Sequence, residues 1–288
     1  MSPRRNARAL TPAPRRHAAS GKTRALGQHF LSDDSVAERI VAVLAPTSRD
    51  LVLEIGPGQG ALTHRLARAA GRLLAIDVDR DLVAELTARF ASEPRVEIRL
   101  ADARIFDYRG LPALRPDPGA RVLVVGNLPY SVGKPILMAL VEAGRSVDEM
   151  ALMLQKEVAE RVAAEPGGKT YGSLSVLTQI ACETRLCFAV PPGAFRPPPQ
   201  VDSAVLHVRV RAESLVPLGQ AQQFRTVVLA AFSQRRKSLA NALASGLKMG
   251  SERTRALCGA AGIEPGRRAE TLSLAEFARL ADALEGHS

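Results

Sequence analysis

The sequence predicts an α/β protein with a doubly wound, mostly parallel β-sheet and a small C-terminal helical domain. Two observations support the sheet. Short runs of aliphatic and β-branched residues alternate with helical segments, and glycine or a polar residue follows each of the first four runs. From about residue 212 the strand-like runs stop and helical spacing of apolar residues continues. We therefore expect a sheet domain over residues 25–211 and a helical domain over residues 212–288.

Length and composition place the chain among ordinary globular proteins. Its 288 residues are enough for two domains, each with a core. The sequence has no apolar run near the length of a membrane span and no secretion-signal pattern, so we expect a cytoplasmic protein without membrane contact. The three cysteines are odd in number and lack metal-ligand spacing, so neither a disulfide framework nor a bound metal is expected.

The positive charge is concentrated at the two ends of the chain. Residues 1–24 contain seven Lys and Arg and no acid, residues 25–211 contain 22 of each sign, and residues 212–288 contain ten basic and seven acidic residues. The first segment predicts a basic, disordered arm that meets a polyanion. A targeting peptide or a solubility tail is the alternative.

The first predicted helix follows Ser32 or Asp33, either of which can cap it, and ends before Pro46. Gln28 and His29 precede the cap in a predicted loop. Because a lone histidine is more often structural than catalytic, we expect no proton transfer by His29.

A strand over residues 51–55 leads into a glycine loop, Gly56-Pro57-Gly58-Gln59-Gly60, and then a helix over 61–70. Such a loop lets a ligand approach the backbone. Its spacing differs from the G-x-G-x-x-G pattern of dinucleotide sites, which disfavours nicotinamide. The second strand, residues 72–76, ends in Asp77, which can accept hydrogen bonds from the vicinal hydroxyls of a ribose.

A helix over 79–90 and a strand over 96–100 precede Asp102. Its carboxylate could accept from the amine of an adenine or cap the next segment, and the sequence leaves both open.

The fourth strand, residues 122–126, ends at Asn127-Leu128-Pro129-Tyr130. Ligands bind at the carboxyl ends of such strands, so these residues are either a reaction site or a turn.

The later elements complete both domains. We expect a strand over 150–154, antiparallel edge strands near 186–190 and 205–210, and helices over 134–142, 155–164, 171–182, 224–232, 239–247 and 272–284. Arg235, Arg236 and Lys237 form a cationic group on the first connection of the helical domain. It predicts contact with RNA phosphates, unless it is an ordinary solvated face.

Ligand-facing residues thus follow four successive strands, and the chain resembles the class I S-adenosylmethionine-dependent methyltransferases. Within that class it resembles the small-subunit ribosomal RNA adenine N6,N6-dimethyltransferases, the KsgA family. The similar stretches run from residue 24 to about 285 and include residues 26–31, 54–58, 127–130, 155–161, 190–197, 201–204 and 232–237. The resemblance implies a Rossmann-like, seven-stranded sheet and S-adenosylmethionine as the methyl donor. It also implies dimethylation of two adjacent adenosines in the 3′-terminal hairpin of 16S rRNA, by a monomer acting on the small ribosomal subunit.

The resemblance also implies roles for individual residues. The positions that bind the methyl donor in the family match His29, Leu31, Gly56, Asp77, Asp102 and Asn127. The positions of His29 and Asp77 are often Asn and Glu in the family, and a backbone contact at position 29 would tolerate either side chain. In the reaction, the Asn127 oxygen and the Leu128 carbonyl are candidate acceptors for the target amine. Tyr130 can stack on the base and Phe195 can close its other face, although core packing is an alternative for Phe195.

Two other functions remain open from the sequence. A ribosome-assembly factor that has lost catalysis would keep the fold, but the intact 127–130 motif argues against it. A methylase of large-subunit rRNA shares fold and chemistry, and the stretches 191–199 and 232–237 look more like the small-subunit family. Protein-glutamine and DNA-adenine methylases usually have Pro where this chain has Leu128.

Overall fold

A computed structural model of the chain describes residues 28–216 and 221–285. The predicted basic arm, residues 1–24, lies outside the described residues. The described segments contain strands β1 to β9 (Phe30–Leu31, Leu51–Ile55, Arg72–Asp77, Val96–Leu100, Val122–Asn127, Glu149–Gln155, Cys182–Val190, Phe195–Arg196 and Ser203–Val210). They also contain helices α1 to α10 (Asp34–Leu44, Thr63–Ala69, Arg80–Arg89, Gly133–Glu142, Lys156–Val162, Ser173–Gln179, Ala221–Ala231, Leu239–Gly246, Ser251–Ala260 and Leu274–Glu285).

The predicted doubly wound, mostly parallel sheet is confirmed. Its strands lie in the order β4-β3-β2-β5-β6-β9-β7, and the first five are parallel. The chain order reverses between β2 and β5, which is where ligands bind in open α/β sheets. The two final strands pair antiparallel with each other, as expected, and β9 also pairs antiparallel with β6.

The central strands are apolar apart from Glu54 in β2, because helices cover both of their faces. All five residues of β2 are buried, and β5 is buried up to Gly126. One hydrophobic cluster on each side of the sheet fills the space beneath the helices. Helix α1 begins after Asp33, whose side chain accepts hydrogen bonds from the backbone N–H groups of Ser35 and Val36.

Two predicted boundaries are wrong. The helix expected over 171–182 ends at Gln179, and strand β7 already begins at Cys182. The segment extends because Cys182 to Leu186 pair with β9 over Val210 to Leu206. The helix expected over 61–70 is also shorter, since Ala61 and Leu62 lie in a turn before α2.

The sequence interpretation missed the two-stranded pair β1–β8 and helix α9. Strand β1 pairs antiparallel with β8, which places Leu31 opposite Phe195. Helix α9 has little amphipathic character and buries mainly Thr254, Leu257 and Cys258 against the other C-terminal helices.

The helical region shares a hydrophobic core with α6. Tyr171, Val176 and Ile180 belong to the same cluster as the apolar residues of α7 to α10. Among the described residues, no helix has the length and apolar character needed to span a lipid bilayer.

Candidate active site

A cavity of about 290 Å³ opens at the carboxyl edge of the parallel strands. The register aligns Ile55 with Ile76 and Gly126, and Asp77 with Leu100, so the loops after these strands meet at one edge. The segment 28–31 lies against the same cavity. The cavity lining includes all the residues predicted for the donor site together with Leu128 and Tyr130, namely His29, Leu31, Gly56, Asp77, Asp102, Asn127, Leu128 and Tyr130.

The glycine loop has positive φ values at all three of its glycines, including Gly60 at +91°. Gly56 and Gly58 have φ values of +68° and +54°, a conformation that other residues rarely adopt. A Cβ on Gly56 would lie 3.3 Å from the Asn127 carbonyl oxygen, and one on Gly58 would lie 2.8 Å from a ring carbon of Phe30. The loop is therefore packed between the end of β5 and the segment before α1, and its backbone borders the cavity.

Asp77 is held by the loop that follows it. Its side chain is 8% exposed, and its Oδ1 accepts a hydrogen bond of 2.9 Å from the backbone N–H of Asp79. Burial raises the pKa of the Asp77 carboxyl, while backbone N–H groups of Asp79 and Gly58 act in the opposite direction. The carboxyl is thus fixed at the cavity wall, where a pair of hydroxyl groups could reach it.

Asp102 caps the next segment, which is one of the two interpretations left open by the sequence, and it also lines the cavity. Its Oδ1 accepts from the backbone N–H of Arg104 at 2.8 Å, which caps the turn after β4. The Arg104 guanidinium binds both carboxylate oxygens at 2.6 to 3.1 Å and holds the pKa of Asp102 below its usual range. Both residues line the cavity, so Arg104 is a cavity residue that the sequence interpretation missed.

The Asn127 side chain is oriented by the segment before α1. Its Nδ2 donates a hydrogen bond of 3.1 Å to the backbone oxygen of His29. Because the nitrogen is used in this way, the side-chain oxygen is the atom that remains to accept a hydrogen bond. The contact at position 29 is made by the backbone, so Asn or His would serve equally there.

The backbone hydrogen bonds of the motif leave the Leu128 carbonyl available. The Leu128 N–H donates to the Met153 oxygen, and the Pro129 oxygen accepts from the N–H groups of Val132 and Gly133. Within the described residues, no backbone donor reaches the Leu128 carbonyl. The Leu128 side chain is 1% exposed and anchors the motif in the core.

The Tyr130 side chain is hydrogen-bonded to strand β9, two strands away from β5 in the sheet. Its hydroxyl lies 2.7 Å from the Ser203 Oγ, at the start of β9. Its ring centroid is 5.8 Å from that of His29, whose Nδ1 is 2.8 Å from the Pro197 oxygen. The half-buried tyrosine ring thus has a fixed position on the cavity wall.

The structure does not bring Phe195 to the cavity. Its side chain is 2% exposed, belongs to the hydrophobic cluster beneath α1, and is absent from the cavity lining. The pairing of β1 with β8 holds it opposite Leu31. Phe195 therefore has the core-packing role that was the alternative, and a second aromatic face for a base is not formed by this residue.

The three predicted RNA-binding residues differ in their surroundings. All are exposed, but the Arg235 Nε lies 3.3 Å from Glu270, and its Nη2 donates to the Lys169 oxygen. Arg235 thus connects the end of α7 to the 163–172 segment. Arg236 and Lys237 have no ion pair among the described residues, so they match the predicted role better.

Glu54 is a site residue whose role the sequence interpretation missed. It is 1% exposed, lines the cavity, and neither carboxylate oxygen has a hydrogen-bond partner among the described residues. The available signal was an acid inside a strand that is otherwise wholly aliphatic, Leu51–Ile55.

The described residues contain no group of three or more His, Cys, Asp or Glu that could hold a metal ion.

Comparisons with known proteins identify the family of the chain. The family described as "Ribosomal RNA adenine dimethylase" matches residues 19–285. "Ribosomal RNA small subunit methyltransferase A" of Nitrosococcus oceani is 46% identical over 254 residues, which cover 88% of this chain and 92% of that protein. The protein of the same name from Xanthomonas campestris pv. campestris (strain B100) is 44% identical over 259 residues, which cover 90% and 95%.

Two solved structures are similar over nearly the whole chain. A dimethyladenosine transferase from Plasmodium falciparum has a TM-score of 0.74 at 22% identity, covering 88% of this chain and 96% of that one. The 23S rRNA methyltransferase ErmE has a TM-score of 0.67 at 25% identity, covering 89% and 99%. The first of these supports the fold alone.

Proposed function

The chain belongs to the ribosomal RNA adenine dimethylase family, and on that premise we propose that it transfers methyl groups from S-adenosylmethionine to adenine N6 in 16S rRNA. The observation that carries the proposal is the pair of acceptors at the end of β5. The Asn127 amide is oriented by His29 so that its oxygen is available, and the Leu128 carbonyl beside it is free of any backbone donor in the described segments.

The cavity suits the proposed methyl donor. The backbone of Gly56 and Gly58 borders the cavity, and Asp77 offers a fixed, buried acceptor to a ribose. Asp102 lies next along the same wall and would face the adenine. Leu31 and the backbone of His29 would close the site from the side of β1. When bound, S-adenosylmethionine supplies a methyl group already activated by its positively charged sulfur, and this chemistry needs no metal.

The residues of the chain would position the target amine. Two acceptors, the Asn127 Oδ1 and the Leu128 oxygen, would take the two N6 hydrogens and stabilise the positive charge that develops on nitrogen during transfer. Pro129 limits the backbone and helps to hold the Leu128 carbonyl outward. Tyr130 would stack on the adenine, which must leave any helix to enter the cavity.

The same geometry supports dimethylation. After one transfer N6 keeps one hydrogen, which can still meet an acceptor, and after two it has none. We infer that the products are dimethyladenosines at two adjacent positions in the 3′-terminal hairpin of 16S rRNA.

We also propose that the protein acts as a monomer. Arg236 and Lys237 would contact rRNA phosphates, and Arg235 would hold the connection that carries them in place.

Incubation with labelled donor and separated, unmodified ribosomal subunits tests this function. We expect label only on the small subunit, with mapping to two neighbouring adenosines. The 46% identity to a small-subunit methyltransferase, against 25% to ErmE, favours this outcome. Label on the large subunit would instead assign the protein an activity like that of the 23S rRNA methyltransferase ErmE, and no label on either would favour a factor without catalysis.

A further inference from the structure

Glu54 is a buried acid without a counter-charge in the wall of the cavity. Its neighbours in register on β3 and β5 are Ala75 and Val125, which carry no charge. The polar group that faces it from α2 is the Thr63 hydroxyl, and the titratable group that acts on it is Asp77. No Lys or Arg forms an ion pair with Glu54 in the described residues.

An ionised carboxylate in this position is costly because both of its oxygens have left water. The hydroxyl and backbone N–H of Thr63 favour the ionised form and lower the pKa, but neither completes a hydrogen bond with either oxygen, so burial outweighs them. Burial, and to a smaller extent the negative charge of Asp77, raise the pKa of the Glu54 carboxyl to about 8. At neutral pH the acid of the free protein is therefore mostly protonated. A cation bound beside this acid would favour its ionised form and would itself be stabilised by the carboxylate.

We propose that Glu54 is the counter-charge for the cationic part of the methyl donor and that it releases its proton to solvent when the donor binds. The inference rests on the proposed function. S-Adenosylmethionine carries a positive sulfur and a positive amino group. Glu54 lies two residues before Gly56, near the end of β2, and both residues line the cavity. The carboxylic acid becomes a carboxylate, one proton passes to the buffer, and the donor's positive charge balances the new negative one.

Calorimetry in buffers of different ionisation enthalpy measures the proton directly. At pH 6.5 we expect the wild-type protein to release about one proton for each donor bound, and Glu54→Gln to release about none. Gln keeps the shape but cannot ionise. Since a group with pKa near 8 must be deprotonated for binding, the ratio of Kd in Glu54→Gln to Kd in wild type should rise about tenfold per pH unit between pH 6 and 7.5. Titration of the ligand's own amino group affects both proteins and cancels in this ratio.

Donor and demethylated product distinguish the two cations. S-Adenosylhomocysteine keeps the amino group but has a neutral sulfur. Equal proton release with both ligands would assign the amino group as the partner of Glu54. Release with the donor alone would assign the sulfur, and either outcome supports the proposal.

Two controls separate Glu54 from other acids. Glu97→Gln removes an acid of β4 that is paired with Arg72 and Arg99, and it should leave proton release unchanged. Asp77→Asn should weaken donor binding yet still release the proton. If Glu54→Gln does not fold, infrared difference spectra of the wild-type protein remain decisive, because the carbonyl band of a protonated acid should disappear as donor is added.

Proton-free donor binding by the wild-type protein, or equal release by Glu54→Gln, would overturn the inference and leave the proposed function intact. A wild-type protein that binds no S-adenosylmethionine would instead contradict the proposed function.

Discussion

At the scale of single residues, Asn127 connects the strand end to the segment before α1. Its amide nitrogen is committed to the His29 oxygen, so the orientation of the acceptor oxygen depends on a contact 98 residues away in sequence. A substitution at Asn127 would therefore have two effects: it would remove the acceptor oxygen, and it would break the hydrogen bond to the His29 oxygen.

Asn127→Ala should reduce methyl transfer more than it weakens subunit binding, because the acceptor contributes most as charge develops on N6. The expected loss is about 10²–10³ in single-turnover rate at saturating donor. Asn241→Ala, at an exposed position in α8, is the matched control and should be neutral. A near-wild-type rate in Asn127→Ala would leave only the Leu128 carbonyl and stacking to hold the amine.

Asp77→Ala should weaken donor binding by about 1–3 kcal/mol, because two ribose hydroxyls would lose their acceptor. Calorimetry with S-adenosylmethionine measures the change, and Asp117→Ala, which removes a partly exposed acid outside the cavity, is the control. Unchanged donor affinity in a folded Asp77→Ala variant would reject this role.

The sequence predicted the cavity residues that stand at strand ends, because parallel strands place their carboxyl ends together whatever the details of packing. It could not predict the surroundings of individual side chains. Phe195 lies in the core because β8 pairs with β1, and Arg235 is engaged because Glu270 comes near it in the folded chain. Both partners are distant in sequence.

At the scale of elements, the loop after β5 is tied to β9 through Tyr130 and Ser203. Ser203 is fully buried, so the hydroxyl pair is protected from water at one end. The ring is thereby held at the cavity wall before any base arrives.

Tyr130→Ala should lower single-turnover methylation by about 10- to 100-fold, since stacking on a base contributes about 1–3 kcal/mol. Tyr130→Phe keeps the ring and removes only the tether, so its loss should be much smaller. Equal losses in the two variants would show that the hydroxyl, and not the stacking face, is what the reaction needs. Thermal melting of both proteins checks that the fold survives.

Elements were predictable where both faces of a strand or one face of a helix are buried, as in β2 and α1. Strand β7 was less clear because it lies at the edge of the sheet and exposes Glu183 and Arg185. This alternation of exposed and buried residues is a weak signal for a strand when the residues before it have the spacing of a helix. Helix α9 buries one short stripe and carries almost no periodic signal.

At the scale of the whole molecule, we propose that the distribution of positive charge determines where RNA docks. The sheet domain is nearly neutral, and Arg236 and Lys237, which form no ion pair in the described segments, stand on the helical region. The first 24 residues carry further positive charge.

Arg236→Ala with Lys237→Ala should weaken small-subunit binding, because the two cations would no longer neutralise rRNA phosphates. The slope of log affinity against log salt should fall by about two units, one for each cation removed. Donor affinity should not change. Arg49→Ala with Arg68→Ala removes the same charge elsewhere on the sheet domain and is the control. A salt slope equal to that of the wild type would place the docking surface elsewhere, with the N-terminal segment as the next candidate.

The packing of α6 against the C-terminal helices has a consequence for recombination between relatives. Tyr171, Val176 and Ile180 precede the apparent domain boundary at residue 212, yet their side chains complete the helical core. A chimera joined at residue 212 would pack α6 of one parent against the C-terminal helices of the other, so the side chains of that core would no longer fit one another. A crossover before Tyr171 would inherit α6 and its partners as one block, so exchange of the RNA-contacting region between homologues should succeed at that earlier junction.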